Sequence, residues 1–260
     1  MEYFFQNLKN NIDFFLRRKA RFSKKNYFVE NEEKEGLFLT EQSAQREQAL
    51  FEQYNLNELK SNSTRENYLE NLYTIDVLDK TLGPDHKGDL SALDVGCKNW
   101  FYAKGEYFFF KKYCQNLKLD GIELDVNRLY SNFYTRVEVA KFYMKNLLGI
   151  TYIAGDFLEL NNKYDYLVWI LPFVVEYPLI KWGLPKKYFK PEKMLEHAFE
   201  TLNDNGKILI INQGEVEYEA QQKLCKNLNI PFTPLGEITS EFLSYKIPRY
   251  GVVISKKQIL

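Results

Sequence analysis

The stretch Ser91-Ala92-Leu93-Asp94-Val95-Gly96-Cys97-Lys98-Asn99-Trp100 decides how this chain is read. An apolar run of strand length ends in an acid and a glycine, and a loop follows. From there onward short apolar runs alternate with helical patterns. Strands are predicted over 91–95, 119–124, 151–153, 165–171 and 207–212. Helices are predicted over 102–117, 128–148, 193–202 and 216–228, and a hairpin pair over 242–247 and 251–255. Such alternation builds a mainly parallel sheet with helices on both faces, and the closing hairpin adds an antiparallel C-terminal strand.

Upstream the pattern differs. Residues 1–87 show no alternating strand and read as a helical N-terminal extension ahead of an α/β domain at 88–260. Phe4, Phe5, Leu8, Ile12, Phe15 and Leu16 recur at three- and four-residue steps, which puts them on one face of a helix. Arg17, Arg18, Lys19, Arg21, Lys24 and Lys25 follow. An aromatic face running into a basic cluster suits peripheral contact with an acidic membrane, or with RNA. The expected arrangement is plainer: the face packs on its own domain and the basic end is solvated. A second run of helix formers covers 41–56. Asn62-Ser63-Thr64 then opens a helix through Tyr68, Leu72 and Leu78 that stops at Gly83-Pro84.

Composition narrows the classes. Hydrophobic residues are 45% of the chain and charged residues 27%, the balance of a soluble globular protein. The formal net charge is zero, so no global basic field holds nucleic acid. The scattered Cys97, Cys114 and Cys225, with only His86 and His197, give neither a disulfide framework nor a metal centre. No apolar run approaches the ~20 residues of a spanning helix, and the N-terminus lacks the order of a secretory signal. A cytoplasmic location is the simplest expectation.

In an open parallel sheet, ligands bind beyond the carboxyl ends of the strands. The ends here are Asp94-Val95-Gly96, Gly121-Ile122-Glu123-Leu124-Asp125, Ala154-Gly155-Asp156-Phe157 and Leu171-Pro172-Phe173. The chemistry suits a nucleoside. Glu123 is placed to accept the hydroxyls of a ribose diol, Asp156 an exocyclic amine, and Phe157 to cover the ring. Gly96 lets backbone approach a ligand closely, and Asp94 suits an ammonium group. Asp125 reads as the N-cap of the next helix, and Cys97 as a small packing residue.

The segments ALDVGC, GIELD, YIAGDF, YDYLVWILPF and GKILIIN resemble, in order and spacing over about residues 91–215, the strand-end motifs of class I S-adenosylmethionine-dependent methyltransferases. The resemblance implies a Rossmann-like fold and S-adenosylmethionine as cofactor. It puts Asp94, Gly96 and Lys98 at the methionine end, Glu123 on the ribose, and Asp156 with Phe157 at the adenine. It sets Pro172 beside the transferred methyl group. Tyr68, on a helix capping the pocket, and Trp182 and Tyr188, in the insert 174–191, become candidate substrate contacts. Glu176 and Tyr177 are the candidate catalytic residues for an otherwise unknown, small-molecule acceptor. The chain departs from the family at the first loop: Lys98 and Trp100 replace two glycines of Gly-x-Gly-x-Gly. A methyltransferase fold that has lost catalysis and serves as a binding or scaffold module is therefore the alternative. A nicotinamide-dependent oxidoreductase fits less well.

Overall fold

The structure, a computed structural model, describes residues 2–19, 27–38, 40–83 and 88–256. Pro84 of the expected stop, His86, and Arg21, Lys24 and Lys25 of the basic cluster lie outside them. Among the described residues four helices come first: α1 (Glu2–Lys19), α2 (Glu41–Tyr54), α3 (Asn57–Ser61) and α4 (Arg65–Thr81). Thr64 caps α4, its hydroxyl accepting the Asn67 N–H. There follow β1 (Asp89–Val95), α5 (Ala103–Lys111), β2 (Asn116–Glu123), α6 (Arg136–Tyr143), β3 (Ile150–Ala154) and β4 (Tyr164–Ile170). The chain ends with α7 (Glu176–Lys181), α8 (Pro191–Glu200), β5 (Leu202–Gln213), α9 (Gly214–Asn227), β6 (Phe232–Ile238) and β7 (Arg249–Ser255).

The sheet order is β3-β2-β1-β4-β5-β7-β6. The five strands from β3 to β5 are parallel, and β7 runs antiparallel between β5 and β6. Alternation along β1 sends Ala92 to one face and Leu93 and Val95 to the other, and a separate buried cluster covers each face. The first cluster joins Leu50, Leu59 and Leu72 of the N-terminal helices to Phe109 and Tyr166, so those helices share the core of the sheet. This is the Rossmann-like methyltransferase architecture expected from the sequence.

Four local expectations are corrected. The helix expected over 128–148 exists only as α6. Thr135 and Glu138 form a capping box there, exchanging side-chain and backbone bonds, and residues 128–134 turn back through Phe133 at φ 66°. Asp125 therefore caps no helix; its two oxygens accept Nε and Nη2 of Arg17, each at 3.0 Å. The hairpin partner of β7 is β6, not 242–247. Pro234 and Gly236 hide this strand in the sequence, and it is tolerated because it lies at the sheet edge, where a missing donor costs no ladder bond. The apolar face of α1 does not pack on the domain. Phe14 alone of its aromatic residues is buried, against Leu179, Ile180 and Leu184.

Candidate functional site

The strand ends of β1 to β5 open into a cavity of about 610 Å³. Gly96, Lys98, Glu123, Asp156, Phe157 and Leu158 line one part of its wall. Leu171, Pro172, Phe173, Tyr177, Trp182, Tyr188 and Glu217 line another. Gly96, Lys98, Glu123, Asp156, Phe157, Pro172, Tyr177, Trp182 and Tyr188 are thus brought together from five separate segments. Three candidates are not. Asp94 is fully buried and absent from the wall. Tyr68 is fully buried in the core with its hydroxyl on Glu47 at 2.6 Å. Glu176 faces α1, bonded to the Tyr3 hydroxyl and paired with Lys186 at 3.0 Å.

The loop after β1 explains how two glycines are dispensed with. Gly96, Lys98 and Trp100 stand at φ 76°, 54° and 44°, all left-handed. For Lys98 and Trp100 this costs about 1–2 kcal/mol each, and such strain persists where surroundings fix the backbone. The indole of Trp100 points away from the cavity and is fully buried, its Nε1 donating to Glu106 at 2.8 Å. Its ring occupies the space a side chain at 121 would need: a Cβ on Gly121 would meet Trp100 at 2.8 Å and Cys97 at 2.9 Å. Cys97 is accordingly a packing thiol, pushed well up by burial. Lys98 alone of the two replacements faces the cavity. Its carbonyl accepts the Tyr152 hydroxyl, and its Nζ lies 4.9 Å from the Trp182 ring. Burial lowers its pKa, and the Arg136 charge lowers it further.

Glu123 is already largely engaged. Oε1 accepts the Asp125 N–H at 2.7 Å and Arg136 Nη1 at 2.9 Å, while Oε2 accepts, among the described residues, only the Lys98 N–H at 3.0 Å. One lone pair of Oε2 stays open to a ligand. Asp156 uses Oδ1 to cap the short turn at Leu158. Trp182 roofs this end: the Arg128 and Arg136 guanidiniums lie 5.3 and 5.4 Å from its ring. Glu217 was not among the sequence candidates. It follows the fifth strand end, accepts the Gln213 N–H at 3.0 Å and is shifted upward by burial. Gly214 and the acids after it carried that signal.

Beneath the loop, neither oxygen of Asp94 has a hydrogen-bond partner of ordinary geometry. Burial, and then the Glu123 charge, push its pKa up to about 7, while the nearby Tyr102 hydroxyl opposes the shift only partly. Glu106 is raised as well, by burial and by the Asp94 charge. The folded protein holds the Asp94 proton more tightly than the unfolded chain does. Stability is therefore fully present below about pH 4 and lost as pH rises to about 7, at ~1.4 kcal/mol per unit. Asp94→Asn should be the more stable protein at pH 8 and lose this slope, which thermal melts across pH 5–8 would show. Parallel melting curves would mean the carboxyl is solvated.

Comparison with known proteins agrees with this architecture. A methyltransferase from Pyrococcus furiosus superposes with TM-score 0.50 at 16% identity, covering 72% of this chain and 83% of that one. An S-adenosylmethionine-dependent methyltransferase from Aquifex aeolicus gives 0.48 at 15% identity over 72% and 92%. The N-methyltransferase NodS from Bradyrhizobium japonicum gives 0.48 at 13% over 74% and 99%. No family model matches the chain, and no curated protein matches it in sequence. The chain has the class I, Rossmann-like fold of S-adenosylmethionine-dependent methyltransferases. No helix among the described residues is long and apolar enough to cross a membrane.

Proposed function

We propose that this chain is an S-adenosylmethionine-dependent methyltransferase acting on a small-molecule acceptor, with the cofactor in the cavity beyond β1, β2 and β3. The observation that carries the reading is the left-handed backbone at 96, 98 and 100. Three alternate positions hold the angles that suit glycine although two of them carry side chains, and one of those side chains is turned into the core. The residues fit the group. Oε2 of Glu123 has a lone pair for a ribose hydroxyl, Asp156 has Oδ2 for the adenine amine, and Phe157 and Leu158 flank it. Gly96 leaves open space where the methionine end would lie, and Lys98, on the cavity wall, would meet its carboxylate.

When bound, that cofactor supplies a methyl group already activated by its sulfonium. The protein then has to orient the acceptor and, where needed, take its proton. Pro172, Phe173, Trp182 and Tyr188 wall the acceptor space, and Tyr177 and Glu217 are its proton-accepting candidates. Glu176 is replaced in that role because it faces α1.

S-adenosylhomocysteine titrated calorimetrically into the full chain should bind with a micromolar constant. Asp156→Ala should weaken it more than tenfold while removing only a turn cap, worth ~1 kcal/mol. Glu217→Gln, at the acceptor end, should leave the affinity within about twofold. No heat at millimolar ligand would overturn the reading. The binding-module alternative would then stand, favoured by the Arg136 pair on Glu123 and by Trp182 roofed over it.

A further inference from the structure

The first helix is inside out. At about 100° per residue, Tyr3, Asn7, Asn10, Phe14 and Arg17 fall on one side, and these are the residues that dock. Asn10 Nδ2 donates to the carbonyls of Ile180 and Leu184 at 2.7 and 3.1 Å. Asn7 accepts the Lys186 N–H at 2.8 Å, and Arg17 clamps Asp125. The docked face is polar except for Phe14. On the opposite side Phe4, Phe5, Leu8, Ile12, Phe15 and Leu16 form a stripe about 120° wide, each between 48 and 68% exposed. A soluble helix has no use for six large apolar residues in water; a helix lying in an interface does.

We propose that α1 is a membrane-docking helix whose stripe enters an anionic lipid surface. Charge selects the occupant. Lys9 lies along one edge of the stripe, Arg18 along the other, and Lys19 closes its end, all exposed. Asp13 lies beyond Lys9, toward the docked face. Anionic headgroups neutralise such a rim, whereas a second copy related by a twofold axis brings like charges together. Aliphatic Leu8, Ile12 and Leu16 also offer nothing to phosphates or bases. The docked face of α1 holds the 176–188 segment that walls the cavity, and Tyr177 there is 62% exposed. Docking therefore brings the cavity wall within about one helix diameter, ~10 Å, of the lipid. This inference stands whether or not the cavity binds a cofactor.

Flotation of the full chain with vesicles tests it. The protein should rise with phosphatidylcholine–phosphatidylglycerol vesicles, far less with phosphatidylcholine alone, and be released by salt. Leu8→Asp with Ile12→Asp, both at exposed positions, should cut the vesicle-bound fraction at least tenfold with an unchanged melting curve. Lys9→Glu with Arg18→Glu should remove the preference for the anionic vesicles. The proposal is overturned if the native chain stays with the unbound fraction, or if the aspartate variant floats equally well. It is also overturned if the stripe instead forms a dimer that the variant dissolves, or binds RNA oligonucleotide but not vesicles.

Discussion

Trp100→Ala should lower stability by about 3–5 kcal/mol, or roughly 10 °C in melting temperature for a chain of this size. The indole is fully buried, so its removal leaves a cavity under the loop and takes from the Glu106 carboxyl the hydrogen bond on Oε2, while the other oxygen already lacks a partner among the described residues. Trp100→Gly should be milder by about 1 kcal/mol, because the residue stands at φ 44° and glycine accepts that angle. Gly121→Ala approaches the same space from the other side. Its methyl would lie 2.8 Å from the indole, an overpacking cost of about 1–3 kcal/mol. In a Trp100→Ala background the methyl has room except at Cys97. The double variant should therefore be at least 1 kcal/mol more stable than the two single losses predict. Denaturant melts of the four proteins decide this, and strict additivity would show that ring and glycine do not share the space.

Much of this fold could be read from the order of apolar runs, because each central strand of a parallel sheet is buried on both faces. What could not be read has physical reasons. Pro234 and Gly236 disguise an edge strand, since edges escape the ladder bonds that exclude them elsewhere. The periodicity of α1 marks a face but does not say what it meets; here Asn7, Asn10 and Arg17 hold the helix and the apolar face is left outside. In the site, strand-end residues could be placed because topology carries them to one crevice. Tyr68 and Glu176 could not, because nearness along the chain does not set where a side chain points. Trp100 reads in the letters only as a departure from the glycine loop and proves to be a core residue, since the glycine that accommodates it, Gly121, lies on the next strand.

Glu123→Ala should be as damaging to the fold as the loss of Trp100, which makes it a poor probe of ligand binding. The carboxylate and Arg136 are both nearly sealed, with side chains 8% and 3% exposed and 2.9 Å apart. Removing one partner of a buried pair costs about 3–5 kcal/mol because the other charge is left stranded. Glu123→Ala also strands the N–H groups of Lys98 and Asp125. Arg136→Met should cost less, since those two donors still face the remaining carboxylate. Glu123→Gln combined with Arg136→Met should recover most of the loss, because a neutral pair of similar volume leaves no charge buried. Ligand and fold then separate. Oε1 is filled by Asp125 and Arg136, so under the proposed reading a ribose hydroxyl would donate to Oε2. Folded Arg136→Met should bind S-adenosylhomocysteine within a few-fold of the native protein, and Glu123→Gln at least tenfold more weakly. If folded Arg136→Met loses binding while Glu123→Gln keeps it, the guanidinium beneath Trp182 is the recognition group, meeting the carboxylate of the ligand in place of a ribose contact at Glu123.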